Sequence, residues 1–338
     1  MKTAVLLLNT GTPDSPETPD VRRFLFEFLN DGRVIDIPLI PRTILVNMII
    51  VPFRAPKVSK LYKKIWTKEG SPLVVHTKTV KAGLQNLLGD EYIVDYAMRY
   101  GNPSIESTID RLLKAGIKKL IVFPMFPQYA SASTGSVKEE VMRVLKGKLA
   151  IPELVFTGAY YAHDAFIKPW LKIAAQYDLT QYDHVLFTYH GLPERQVKKT
   201  TCDKQCAVDP DCCAVLRDGN AYCYRAQCFE TTRRIAAGMN LRPDQYSITF
   251  QSRLGRTPWI KPYTDEVIPE LPKHGKKKIL VFSPSFVADC LETVMEIGIE
   301  YKELFMHNGG ERFDLAPCLN GDSSWIEAIR DLVHADKA

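Results

Sequence analysis

Three groups of residues in this chain have types and spacings suited to chemistry. The first is His190 in Thr188-Tyr189-His190-Gly191-Leu192-Pro193, directly after a run of apolar and β-branched residues. A histidine at the carboxyl end of a buried strand can face a ligand crevice, and a neutral imidazole accepts protons near pH 7. The same place also suits a histidine that only caps a turn. The second group is Glu292, Glu296 and Glu300, four residues apart and so on one face of a helix over 289–301. Three like charges with no interleaved lysine repel one another, and a divalent cation that favours oxygen ligands relieves the repulsion. An ordinary solvated helix face would carry the same acids. The third group is Cys202, Cys206, Cys212, Cys213, Cys223 and Cys228, six thiols within 27 residues. Their spacing contains no CxxC pair, which disfavours a zinc ribbon, and four thiolates suffice for an iron–sulfur cluster. Structural zinc and unliganded thiols stay open. Cys290 and Cys318 stand alone and suit packing.

Positioning these groups requires a scaffold, and the chain shows one. Buried strands are predicted at 3–8, 92–98, 119–124, 153–157, 184–189, 246–251 and 278–283, with amphipathic helical stretches such as 104–115, 137–145 and 231–238 between them. Alternation of this kind implies βαβ units and mostly parallel sheets. The pattern occurs twice, so the expected fold is α/β: two similar doubly wound, Rossmann-like lobes with a ligand cleft between them. The lobes are predicted at 1–155 and 156–338, with a cysteine-rich insertion at 200–228 and a last helix able to pack back on the first lobe. No GxGxxG or GxxxxGK[ST] sequence is present, which argues against ordinary nucleotide binding.

Composition sets the class. The 338 residues are 46% hydrophobic and 25% charged, which excludes disorder, collagen-like repeats and a small disulfide scaffold. A net charge of +5 over this length does not point to nucleic acid; it suits an anionic small molecule or an anionic membrane surface. The first apolar run is too short for a secretory core. The stretch 39–53 is interrupted by Pro41, Arg42, Asn47 and Pro52 and falls short of the roughly 20 residues of a spanning helix. A cytoplasmic protein is expected, with cysteines as thiols or metal ligands.

In chain order, the motifs are Leu8-Asn9-Thr10-Gly11-Thr12-Pro13, Gly70-Ser71-Pro72-Leu73, Met98-Arg99-Tyr100-Gly101-Asn102-Pro103, Pro127-Gln128-Tyr129 with Ser133-Thr134-Gly135, Tyr189-His190-Gly191-Leu192-Pro193, Phe250-Gln251-Ser252-Arg253 through Pro258-Trp259, and 289–301. Each is weak alone, but in this order they make the chain resemble a ferrochelatase of the bacterial type nearly end to end. The resemblance implies a lyase that inserts Fe²⁺ into protoporphyrin IX at the end of haem synthesis, with coproporphyrin III as the other candidate. It assigns His190 and Glu292 to proton acceptance and metal binding, and Glu296 and Glu300 to an acidic face that guides metal or protons. Ser71, Arg99, Tyr129 and Trp259 match contacts to the macrocycle or its propionates. Residues 39–57 match an apolar lip that would lie on the inner-membrane surface, with Arg42, Arg54 and Lys57 near anionic lipid or propionates, and the preceding porphyrinogen oxidase is an implied partner.

The sequence departs from the animal and fungal pattern. Cys290 stands where a histidine precedes the glutamate, Ser131 occupies a cluster-ligand position, and the chain ends at Ala338 without a cysteine-bearing tail. Some bacterial relatives carry thiols in an insertion after the histidine instead. On that basis a [2Fe-2S] cluster on Cys202, Cys206, Cys213 and Cys223 is expected. The competing readings are a chelatase loading cobalt or nickel into another tetrapyrrole, a haem-binding iron–sulfur sensor, and an inactive scaffold.

Overall fold

The computed structural model describes residues 2–200, 211–253, 255 and 257–335. Cys202 and Cys206 lie outside the described residues.

Among the described residues, eight strands form two four-stranded sheets. The first contains β1 (Thr3–Gly11), β2 (Tyr92–Tyr100), β3 (Lys119–Pro124) and β4 (Glu153–Phe156); the second contains β5 (His184–His190), β6 (Tyr246–Gln251), β7 (Lys278–Phe282) and β8 (Arg312–Leu315). The orders are β2-β1-β3-β4 and β6-β5-β7-β8, and every neighbouring pair is parallel. Val5 stands opposite Val94 on one side and Ile121 on the other; Phe187 stands opposite Ile248 and Phe282. Inner strands covered on both faces read as unbroken apolar runs, and Ala4 to Leu8 are fully buried.

Seven strands fall where the apolar runs predict them. The eighth, β8, is a difference. It is four residues long at a sheet edge, and only Phe313 is buried while Arg312 and Asp314 pair with each other. A short edge strand bearing charges carries too little apolar signal to stand out in sequence.

The chain falls into two compact units. One comprises Met1–Phe126, Ala130–Ala159 and Asn320–Ala338; the other comprises Pro127–Tyr129 and Tyr160–Leu319. The closing helix, Ser323–Ala335, belongs to the first unit, where Trp325 is fully buried with its ring edge-on to Phe123. In the first unit, Ile105, Ile109, Val137 and Val141 cover one face of β1 and β3. In the second, Ile297, Tyr301 and Phe305 cover Leu186, Ile279 and Val281.

Both sheets share one consequence of their order. The chain leaves β1 for β2, then returns to the other side of β1 for β3; β5, β6 and β7 repeat this. Such a reversal opens a crevice beyond the carboxyl ends of the two strands flanking it, here β1/β3 and β5/β7.

The segment at 39–65 differs from its sequence reading. It is one continuous helical run, Leu39–Ile65, long and apolar enough by length and composition to cross a membrane. Its winding widens at Leu45–Ile50, where the Val51 N–H reaches back to the Val46 carbonyl, so the run passes Pro52 without a break. Val46, Val51, Ala55, Val58 and Tyr62 are buried, whereas Ile40, Met48 and Phe53 are each more than 70% exposed.

Candidate functional site

His190 is the last residue of β5 and sits at the β5/β7 crevice of the second unit. Its Nδ1 lies 2.7 Å from the Gly191 carbonyl oxygen. A carbonyl only accepts, so Nδ1 carries the proton and the lone pair of neutral imidazole is on Nε2. The backbone beyond it is zipped to a second segment. Gly191 N–H donates to the Gln251 carbonyl at 2.8 Å, Glu194 N–H to Pro258 at 3.0 Å and Ile260 N–H to Leu192 at 2.9 Å, with Pro193 bridged to Trp259. This pairing sets the Trp259 ring 6.4 Å from the His190 ring, with Phe286 at 6.4 Å as well. Gly191 permits the approach: a Cβ there would meet the Gln251 carbonyl oxygen at 2.7 Å and the Trp259 ring at 3.2 Å.

The exit from β7 carries the acids. Residues Glu292–Tyr301 form a helix as the spacing predicts, but wound with i→i+5 bonds rather than as an α-helix, a form common at functional sites. Glu292 is half-buried and accepts from the Cys290 thiol. Burial, then the Glu292 charge, pushes that thiol well up, so it stays protonated. Cys318 is buried against Asp289 in the same state, and the Thr293 hydroxyl donates to Asp289 at 3.0 Å. Cys290 and Cys318, which the sequence marks only as packing residues, are therefore donors to the carboxylates at the head of this helix. Glu296 is half-buried too, with Oε1 accepting from the Ser252 N–H at 2.9 Å and the Tyr301 hydroxyl at 2.8 Å, while Oε2 accepts from the Ser252 hydroxyl. Glu300 is exposed.

Tyr129 also belongs to the second unit, its N–H donating to Gln227 at 2.6 Å and its ring edge-on to Tyr222 at 5.3 Å. The remaining expected contacts belong to the first unit. Ser71 is buried and accepts from the Thr12 hydroxyl at 3.0 Å, joining the β1 exit to the start of the helix Pro72–Leu88. Arg54 is half-buried within Val51–Ile65. Arg99 is committed: Nη2 donates to Asp31 at 2.8 Å and Nε to Ser136 at 2.7 Å. Asp31 is a residue that the sequence reading missed, since no spacing or periodicity marks it. Its carboxylate also accepts from the Tyr100 hydroxyl at 2.8 Å, the Ser136 hydroxyl at 2.5 Å and the Arg33 N–H at 2.7 Å. Burial acts to raise its pKa, but these donors and the Arg99 charge outweigh burial and hold it below the ordinary value.

Of the cysteines, Cys213 and Cys223 are both buried, with their thiols in hydrogen-bonding contact, and Cys212 Sγ lies 3.6 Å from Cys213 Sγ. The Cys223 thiol and burial push Cys213 up. Among the described residues no group of three or more His, Cys, Asp or Glu side chains is placed to hold a metal ion. Of the four thiols expected to hold a [2Fe-2S] cluster, Cys202 and Cys206 lie outside the described residues, and Cys213 and Cys223 are in contact.

The family model for ferrochelatase matches residues 2–337. The chain belongs to the ferrochelatase family. It is 46% identical over 334 residues to the ferrochelatase of Legionella pneumophila (strain Lens), covering 99% of both chains. It is 44% identical over 330 residues to that of Coxiella burnetii (strain Dugway 5J108-111), covering 97% of this chain and 92% of that one. Among solved structures it resembles SirB from Bacillus subtilis with Fe³⁺, at a TM-score of 0.57 and 11% identity, covering 100% of this chain and 98% of that chain. It also resembles the sirohydrochlorin chelatase SirB in complex with cobalt, at 0.55 and 12%, covering 99% and 95%. At these identities the likeness concerns the fold alone. As a ferrochelatase the chain is a lyase, with ferrous iron and a porphyrin as its substrates.

Proposed function

We propose that this ferrochelatase inserts Fe²⁺ into protoporphyrin IX to form protohaem, with His190 taking one pyrrole proton at Nε2 and Glu292 holding the incoming iron or taking the other proton. The observation that carries this reading is the His190 Nδ1 bond to Gly191, which leaves Nε2 as the accepting atom at the β5/β7 crevice. Insertion removes two pyrrole protons and needs a bent macrocycle, because a flat ring hides its nitrogen lone pairs. A site that grips the ring bent is closer to the transition state than to free porphyrin. The iron-holding site must also let go. One imidazole and one or two carboxylates hold Fe²⁺ less tightly than a closed four-ligand cage would. Glu300, exposed further along the helix, would help to draw the cation in. Tyr129 and Trp259 offer aromatic faces to the macrocycle. On the first unit Arg99 has Nη1 for a propionate, with Ser71 and Arg54 as further contacts.

Anaerobic protein supplied with Fe²⁺ and either protoporphyrin IX or coproporphyrin III is expected to consume protoporphyrin fluorescence and build the haem spectrum. Turnover with coproporphyrin III alone would change the substrate assignment. Porphyrin binding without insertion of iron, zinc or cobalt would overturn the reading.

Two finer assignments belong to the same reading. The run Leu39–Ile65 lies on a membrane surface rather than crossing it, because Val46, Val51, Ala55 and Tyr62 tie it to the protein while Leu39, Ile40, Ile44, Met48 and Phe53 are exposed for lipid. On this reading the enzyme is cytoplasmic and peripherally bound. Cosedimentation with anionic vesicles is expected to fall in Phe53→Asp; unchanged binding would overturn the assignment. Cys202, Cys206, Cys213 and Cys223 would hold a [2Fe-2S] cluster, which supplies a redox-active centre outside the insertion chemistry. The contact between Cys213 and Cys223 supports this pair. Visible cluster absorption in the anaerobic protein is expected to be lost in Cys223→Ser, and a colourless parent protein overturns it.

A further inference from the structure

The four-residue spacing groups Glu296 with the iron-guiding acids, but its contacts are of another kind. Both carboxylate oxygens are engaged: the N–H and hydroxyl of Ser252 bind one each, and the Tyr301 hydroxyl binds Oε1. Ser252 is the first residue past β6 and has φ +65°, a left-handed conformation that residues other than glycine take at a cost. A carboxylate that holds both donors of this residue offsets that cost.

The loop beyond Ser252 bears on the reaction. Its far end, Pro258 to Ile260, is zipped to the backbone just past His190 and sets Trp259 against the His190 ring. Gln251, the residue before Ser252, pairs in register with His190, and its carbonyl accepts from Gly191. Phe250 N–H donates to the Pro262 carbonyl at 2.8 Å and closes the loop at its base. Arg253, the next residue along, is paired with Asp265 and Glu266. The turn at Ser252 is thus the point where the helix Glu292–Tyr301 grips the segment that orients His190 and Trp259.

We propose that Glu296 is a positioning residue: it holds Ser252 in its left-handed turn and through that turn fixes Trp259 and His190, instead of passing iron to the macrocycle. The proposal rests on the reading of His190 as the proton acceptor. It accounts for Ser252 and Tyr301, which no iron-guiding role requires. A carboxylate engaged by three donors has little left for a cation, and releasing it would free the loop.

The test compares Glu296→Gln, Tyr301→Phe, Ser252→Gly and the double variant Glu296→Gln/Ser252→Gly in the full chain, with His190→Ala alongside. Glu296→Gln is expected to lower kcat about tenfold, the scale on which removing a supporting hydrogen-bond partner acts, with KM for Fe²⁺ unchanged. Tryptophan fluorescence is expected to shift with it as Trp259 loosens. Glycine takes the left-handed turn without help, so Ser252→Gly is expected to restore most of the rate in the double variant. Tyr301→Phe removes one donor and is expected to show the same split on a smaller scale, so the reading stays open to test even where Glu296→Gln does not fold. A several-fold rise in KM for Fe²⁺ with kcat kept at saturating iron, and no rescue by glycine, overturns the proposal and returns Glu296 to iron handling. Near-normal turnover in His190→Ala instead overturns the reading beneath it; an inactive His190→Ala with no glycine rescue overturns the positioning role alone.

Discussion

Replacing His190 with alanine is expected to lower haem formation by about 10²–10⁴-fold, the usual contribution of a positioned acid or base, while porphyrin affinity stays nearly unchanged. The split follows from the geometry. The His190 side chain hydrogen-bonds through Nδ1 to the Gly191 carbonyl, and its ring lies beside those of Trp259 and Phe286. Grip on the macrocycle would come from the aromatic faces of Tyr129 and Trp259, which alanine at 190 leaves in place. Proton removal has no such substitute. Steady-state rates at saturating porphyrin, together with quenching of protein fluorescence by porphyrin, separate the two quantities. Wild-type turnover in the variant would show that another group takes the pyrrole protons.

Loss of the Asp31 carboxylate is expected to carry a large cost to stability. Asp31→Ala would leave Arg99, whose side chain is only 20% exposed, without its counter-charge, and would strip the Tyr100 and Ser136 hydroxyls of a common acceptor. Removing one partner of such a pair costs about 3 kcal/mol, measurable as a shift of the denaturation midpoint at constant slope. Asp31→Asn keeps the shape and some of the acceptors and should lose less. The pH dependence has a definite sign. Folding depresses the Asp31 pKa, so its contribution is fully present above the ordinary aspartate pKa and is lost as pH falls through the lower folded value. Acid destabilisation should therefore be shallower in Asp31→Ala than in the parent over that range. Parallel acid-denaturation curves for the two proteins would show that Asp31 contributes nothing to it.

The same two residues show what is legible in a sequence. His190 is visible because it ends a buried strand in a parallel α/β chain, and such ends are where these sheets bind ligands. The strands are visible because inner parallel strands are buried on both faces and so read as unbroken apolar runs, from Ala4 to Leu8 and again from Val185 to Phe187. Asp31 is invisible because its side-chain partners lie 68, 69 and 105 residues away, at Arg99, Tyr100 and Ser136. Arg99 is visible as a candidate for a propionate, but nothing in its neighbours along the chain reveals that Asp31 and Ser136 already hold part of its guanidinium.

The α/β architecture, seven of the eight strands among the described residues and the family can all be read without coordinates. Local composition and order along the chain carry that information, because burial of a strand or a helix face is written in the residues of that element. How each charge is used needed the folded chain. A spacing of four residues puts Glu292, Glu296 and Glu300 on one helix face whatever their purpose. The Cys290 thiol on Glu292 and the Ser252 and Tyr301 donors on Glu296 are what distinguish these two. A carboxylate's role is set by the donors that reach it, and those donors mostly come from segments distant in sequence that folding brings within hydrogen-bonding range.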